Sequence, residues 1–154
     1  MKNLRLFLFI LVTAAGCGKK EGCTDHNASN FNGEAEKDDG SCVFPRNDIT
    51  GDYNCDFTWD ASHHSAPTLQ IINSSVNTGE VILIFDGSPL NGDSIMAQVT
   101  PNVISINNQT IYNRGGADYT ITGTGGYSSG SINLTLTQVI TGTSYPINVS
   151  GIKQ

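Results

Sequence analysis

The sequence predicts an all-β fold, an antiparallel meander curled into a small barrel or folded as a sandwich. Three observations predict it. From residue 48 onward apolar residues recur with a period of two, the spacing that sends alternate side chains to opposite faces of a strand. Turn-forming clusters rich in Asn and Gly break that alternation at short intervals. No stretch of ten or more residues carries a helical pattern.

The elements follow in order. Tyr53, Cys55, Phe57 and Trp59 share one face of a first strand, with Asn54, Asp56 and Thr58 on the other. Val81-Ile82-Leu83-Ile84-Phe85 is a continuous apolar run suited to a central strand. Tyr119 and Ile121 alternate with Thr120 and Thr122, and Ile132, Leu134 and Leu136 alternate with Asn133, Thr135 and Thr137. Tyr145, Ile147 and Val149 close the series. Weaker strands are read from Leu69 to Ile72, Ser94 to Val99, Val103 to Ile106 and Gln109 to Tyr112. Turns fall at Asn77-Thr78-Gly79, Asn91-Gly92, Pro101-Asn102, Asn107-Asn108, Gly115-Gly116 and Thr141-Gly142. Asn-Gly suits a type I′ hairpin, whose two central residues both need positive φ. Gly123 to Gly130 reads as one long hairpin turn, because it lacks the lysine and the following helix of a phosphate-binding loop. The total is about eight or nine strands, the usual complement of a barrel or sandwich.

Length and charge bound the function. A chain of 154 residues holds one ordinary domain and a short appendage. Only 14% of residues are charged, against the usual quarter; Ser, Thr, Asn and Gly fill the gap, as in exported β-proteins with neutral polar surfaces. Ten of the fourteen acidic residues lie between Glu21 and Asp60. After Arg46 only Arg114 and Lys153 are basic, too few to track a phosphate backbone, so nucleic acid is excluded as a partner.

The first sixteen residues have the layout of a secretory signal. Lys2 and Arg5 form a positive segment, Leu6 to Val12 an apolar run too short to span a membrane, and Thr13-Ala14-Ala15-Gly16 a small-residue stretch before Cys17. Removing Lys2 and Arg5 with this leader takes the net charge from −6 to −8. Ala14-Ala15-Gly16-Cys17 resembles the lipobox of bacterial lipoproteins, with Ala14 where Leu is usual. The resemblance implies diacylglycerol on the Cys17 sulfur, cleavage after Gly16, and a chain anchored to the outer membrane on its periplasmic or cell-surface face. Several acyl chains anchor stably where one is marginal. No later segment is long and apolar enough to span as a helix. The chain then divides into a signal peptide (1–16), a lipidated tether (17–21), an acidic module (22–44) and a β-domain (48–153).

In the acidic module, oxygen-bearing side chains recur at near-alternate positions: Asp25, Asn27, Asn30, Asn32, Asp38 and Asp39. A hard cation such as calcium takes six to eight oxygens, and closely spaced Asp and Asn on an irregular loop can supply them. The spacing is not that of an EF-hand, which needs a Glu at its twelfth position. Cys23 and Cys42 flank the segment and fit a disulfide in an oxidising compartment, with Cys42–Cys55 as the main rival pairing. Cys23-Thr24-Asp25, Asn27-Ala28, Asn30-Phe31-Asn32 and Asp38-Asp39-Gly40-Ser41-Cys42 resemble a C-T-D-P-x-A-x-N-Y-N-P…D-D-G-S-C repeat of secreted Bacteroidota proteins, with His26 and Gly33 in place of its prolines. That resemblance implies a disulfide-closed module likened to calcium-binding acidic repeats. Ile49-Thr50-Gly51-Asp52-Tyr53 and Tyr119-Thr120-Ile121-Thr122-Gly123 are similar to a lipocalin-like β-domain of Bacteroidota lipoproteins, which implies a fold and a ligand cavity.

Asp60-Ala61-Ser62-His63-His64 is the densest cluster of catalytic residue types, but adjacent histidines point to opposite sides of an extended chain and do not share one zinc easily. Cys55, on a face with Tyr53, Phe57 and Trp59, reads as a buried and inert thiol. The expected protein is therefore a non-enzymatic, membrane-anchored binding or accessory lipoprotein with a calcium-stiffened spacer and a small-molecule or protein ligand. Its alternatives are a lipocalin-like carrier of a small apolar ligand and a hydrolase using the His63/His64 loop.

Overall fold

The computed structural model describes residues 18–59, 64–87, 89–90, 92–112 and 117–154, with His64 as backbone only. Two short strands, β1 (Glu21–Gly22) and β2 (Lys37–Asp38), pair in parallel inside the acidic module. A single-turn helix, α1 (Arg46–Ile49), leads into β3 (Gly51–Thr58). There follow β4 (His64–Ser65), β5 (Thr68–Asn73), β6 (Glu80–Asp86) and β7 (Ser94–Thr100). The chain ends with β8 (Val103–Ile111), β9 (Tyr119–Ser128), β10 (Ser131–Ile140) and β11 (Thr143–Lys153).

The period-two pattern becomes a closed antiparallel barrel of eight strands, which decides between barrel and sandwich. Strands β5 to β11 pair in sequence order, β3 pairs with β5, and β11 returns to β3 in the register Val149↔Phe57 and Gly151↔Cys55. Short β4 is a spur on β3, pairing Ser65 with Phe57. An eight-stranded barrel is just wide enough for side chains to fill, and here they do. Phe57, Leu69, Val81, Leu83, Phe85, Ile95, Ile104, Ile121, Leu136 and Ile147 are all 0% exposed. Phe57 and Phe85 meet edge to face at 5.2 Å between centroids, an arrangement worth about 0.5–1.5 kcal/mol beyond burial.

Two strands differ from the sequence reading. The Asn107-Asn108 turn is a bulge: β8 runs through it, and its register on β9 slips between Ile106 and Gln109. There the Gln109 amide takes over the ladder, accepting from the Met96 N–H at 3.0 Å and donating to the Met96 carbonyl at 2.8 Å. The long glycine turn is mostly strand: β9 extends to Ser128, leaving Ser129 and Gly130 (φ 46° and 80°) as a two-residue turn. Gly123 and Gly125 face inward opposite Leu136 and Leu134, whose side chains take the space two Cβ atoms would fill. Thr141-Gly142 is a two-residue turn with both φ positive, as read.

The barrel has two distinct ends. At the near end lie the turns 74–79, 101–102 and 129–130 together with α1, whose Ile49 is 1% exposed and receives a hydrogen bond from the Tyr53 hydroxyl at 2.9 Å. At the far end lie residues 59, 66–67, 87, 89–90, 92–93, 112, 117–118 and 141–142 of the other connections, and Leu90 is completely buried there.

Candidate functional sites

The acidic module is closed by the Cys23–Cys42 disulfide; Cys55 is the free, buried thiol, so the Cys42–Cys55 pairing is not formed. The alternating oxygens have a local use. Asp25 accepts from the Asn27 amide at 2.8 Å, Asn32 from Glu34 at 3.1 Å, Asp38 from Gly40 at 2.8 Å and Asp39 from Ser41 at 2.9 Å. Each is an Asx turn, in which the side chain caps its own backbone two residues on. Asn30 ties the two halves of the loop, donating to the Ser41 carbonyl and accepting from the Val43 amide. Each of the six side chains thus has a hydrogen-bonding role of its own. Among the described residues no three His, Cys, Asp or Glu side chains come together as a metal site.

Two of the six also dock the module on the barrel. Asn27 donates to Thr78 Oγ1 at 2.9 Å and to Asn77 Oδ1 at 3.2 Å, and Thr78 donates to Asp25 Oδ2 at 2.6 Å. The Thr78 hydroxyl, then the Asn27 amide, hold the Asp25 carboxyl below its ordinary pKa. Buried Gly79 lies against Asn27, where a Cβ would sit 2.8 Å from its Oδ1. Arg46 closes the joint from the linker, with Nη1 donating to the carbonyls of Ser74 (2.9 Å) and Asn77 (2.7 Å). All of these contacts fall on the β5–β6 turn at the near end. The sequence reading took Asn77-Thr78-Gly79 only as a turn, and nothing local in it reveals a partner about fifty residues away.

Cys17, the predicted lipidation residue, lies outside the described residues, as do Asp60, Ser62 and His63. His64 pairs through its backbone with Thr58. Burial, then the neighbouring Asp56, pushes the Cys55 thiol up to about 11, so it carries almost no thiolate near neutral pH.

The far end opens as a cavity of about 190 Å³. Its walls continue the inward faces of three adjacent strands: Trp59 just past β3, Tyr145 and Ile147 on β11, and Gln138 and Ile140 on β10, with Pro89 from the β6–β7 connection. Gln138 stands directly across from Tyr145 in the β10–β11 register. It occupies the inward period-two position above Leu136 and is only 5% exposed. Its amide makes no hydrogen bond among the described residues, but its polar atoms are not cut off from solvent, and the surface left to them opens into this mouth. Below the mouth the interior is shut by Phe57, Phe85 and Leu136. Near it, buried Tyr119 donates to the Asp93 carboxylate; burial, then that carboxylate, drives the phenol pKa far up.

Among the described residues no helix is long and apolar enough to cross a membrane. No family model and no curated protein matches the chain.

Proposed function

We propose that this chain is an exported lipoprotein, held at the outer membrane through Cys17, that binds a ligand at the far mouth of its barrel and carries out no chemistry of its own. One observation carries the reading. Among the described residues, every docking contact between the acidic module and the barrel lies at the near end, and the aromatic-lined mouth lies at the opposite end. A tether entering through the module therefore turns the mouth away from the membrane. The walls of that mouth are aromatic, aliphatic and amide groups, the composition of a recognition site. The filled interior favours binding in this shallow mouth over cargo carried inside the barrel.

The module acts as a braced spacer. Its disulfide, Asx turns and docking contacts supply the stiffness; calcium, suggested by the spacing of the Asp and Asn oxygens and by the resemblance, is the added proposal. A rise in melting temperature at millimolar calcium would add the cation to the brace, and its absence would leave the hydrogen bonds to act alone.

Orientation is the testable core. The lipidated protein is placed in vesicles containing a headgroup-attached quencher, with a fluorophore on either Asn102→Cys (near end) or Thr143→Cys (far end). Cys55 stays unlabelled because it is buried. Stronger quenching at residue 102 is expected. Equal or reversed quenching removes the proposal, and a chain that does not partition with vesicles removes the anchor.

A further inference from the structure

The mouth also specifies a class of ligand, an inference that rests on the binding role just proposed. A cavity of about 190 Å³ is smaller than the roughly 300–1,000 Å³ that encloses a whole drug-sized molecule. It has room for one ring, with the remainder of a longer ligand outside. None of the described residues lining the mouth carries a formal charge near neutral pH, so an ion entering it would lose water and meet no opposite charge on those walls. Trp59, Tyr145 and Ile140 contribute the apolar part of its lining.

The decisive group is Gln138. The Gln138 side chain is only 5% exposed and its amide has no partner among the described residues, so its donors and acceptor are met by water in the mouth; leaving them unmet would cost about 1–3 kcal/mol. A hydrocarbon chain or a phenyl ring in the mouth would incur that cost, displacing the water that reaches the amide and giving nothing back. A ring with adjacent hydroxyls removes it, since each hydroxyl both donates and accepts while the ring's C–H face lies on the aromatics. We infer that the mouth binds a neutral sugar ring, one residue of a glycan, with Gln138 bonding its hydroxyls and Trp59 and Tyr145 packing against its apolar face.

Trp59 is the only tryptophan in the chain, so its emission reports on the mouth directly. The protein is titrated with methyl glycosides of glucose, galactose, mannose and N-acetylglucosamine, and in parallel with decanol and N-acetyltyrosine amide. A saturable change with at least one glycoside is expected, weakened at least tenfold in Gln138→Leu and in the rim variant Tyr145→Ala at unchanged melting temperature. Response to decanol or the tyrosine amide but to no glycoside overturns the sugar assignment and leaves a binding mouth. Response to none of the probes overturns both. A glycoside response that survives intact in folded Gln138→Leu overturns the role of the amide; if that variant does not fold, Tyr145→Ala decides the same point for the wall.

Discussion

Replacing Gly125 with alanine should damage the barrel out of proportion to one methyl group. Gly125 faces inward on β9 between Ile104 and Leu134. A Cβ there would lie 2.1 Å from the Asn133 carbonyl oxygen, 2.6 Å from Leu134 Cδ2 and 2.9 Å from Leu134 Cα. Two of those atoms are backbone, so no rotamer change relieves the clash and β9 must move away from β10. Overpacking a filled core costs typically 1–3 kcal/mol; backbone contact places this case at about 3 kcal/mol, or about 10 °C in melting temperature for a chain of this size. The adjacent Gly126 is the internal control, because its Cβ would meet only the Asn102 carbonyl at 3.4 Å. Gly126→Ala should be neutral or slightly stabilising, since glycine inside a strand costs roughly 0.5–1 kcal/mol relative to alanine. Thermal unfolding of the two variants beside the parent protein, followed by circular dichroism, measures the difference. Two alanine variants that melt within about 2 °C of each other would refute the packing argument, because both carry the same propensity gain.

Three further outcomes follow from the same geometry. The Asp25 pKa is depressed in the folded chain, so its share of docking is complete above the unfolded value and is lost as pH falls through the lower folded one. Amide protection at Asn27, whose N–H donates to Asp25, should therefore hold near neutrality and fall below about pH 4; in Thr78→Val it should be weaker and flatter with pH, and an unchanged profile would show that the hydroxyl does not set the joint. Replacing Cys23 and Cys42 together by serine should remove about 3 kcal/mol from the module while β3 to β11 keep their exchange protection; loss of protection in the barrel as well would show that the two do not fold separately. Cys55 should resist a thiol reagent in the native protein at pH 8 and react stoichiometrically once denatured, and rapid native labelling would contradict its burial.

What was legible in the sequence was whatever depends on neighbours along the chain. The alternation at Tyr53-Cys55-Phe57 and Ile132-Leu134-Leu136 gave both strands and their inward faces, because period two is a property of a single strand. The glycine-rich end of β9 could not be read that way. Gly123 and Gly125 look like turn residues until Leu134 and Leu136 are known to lie across them. Asn107-Asn108 misled for a related reason: a looped-out pair resembles a turn unless a side chain such as Gln109 reaches over to continue the ladder. The oxygens of residues 25–39 carry an ambiguity of their own, since Asx turns and a calcium loop both call for Asp and Asn at close spacing. The mouth was only half visible. Trp59 and Tyr145 stood on inward faces, but the convergence with Gln138 needs the β3–β11–β10 adjacency, which links positions about ninety residues apart.

That same adjacency sets a timetable for folding. The barrel is sealed by β11 lying against β3, the last of its strands against the first. A chain made N-terminus first can pair β5 through β10 as each hairpin appears, yet β3 keeps one bare edge until the eleven residues of β11 are available. Until then the nascent sheet is an open ribbon with two unpaired borders and a half-covered apolar face, the form most prone to sticking to another copy. The C-terminal strand thus works as the fastener of the molecule, and the interval before it arrives is when the protein most needs to be kept apart from its neighbours.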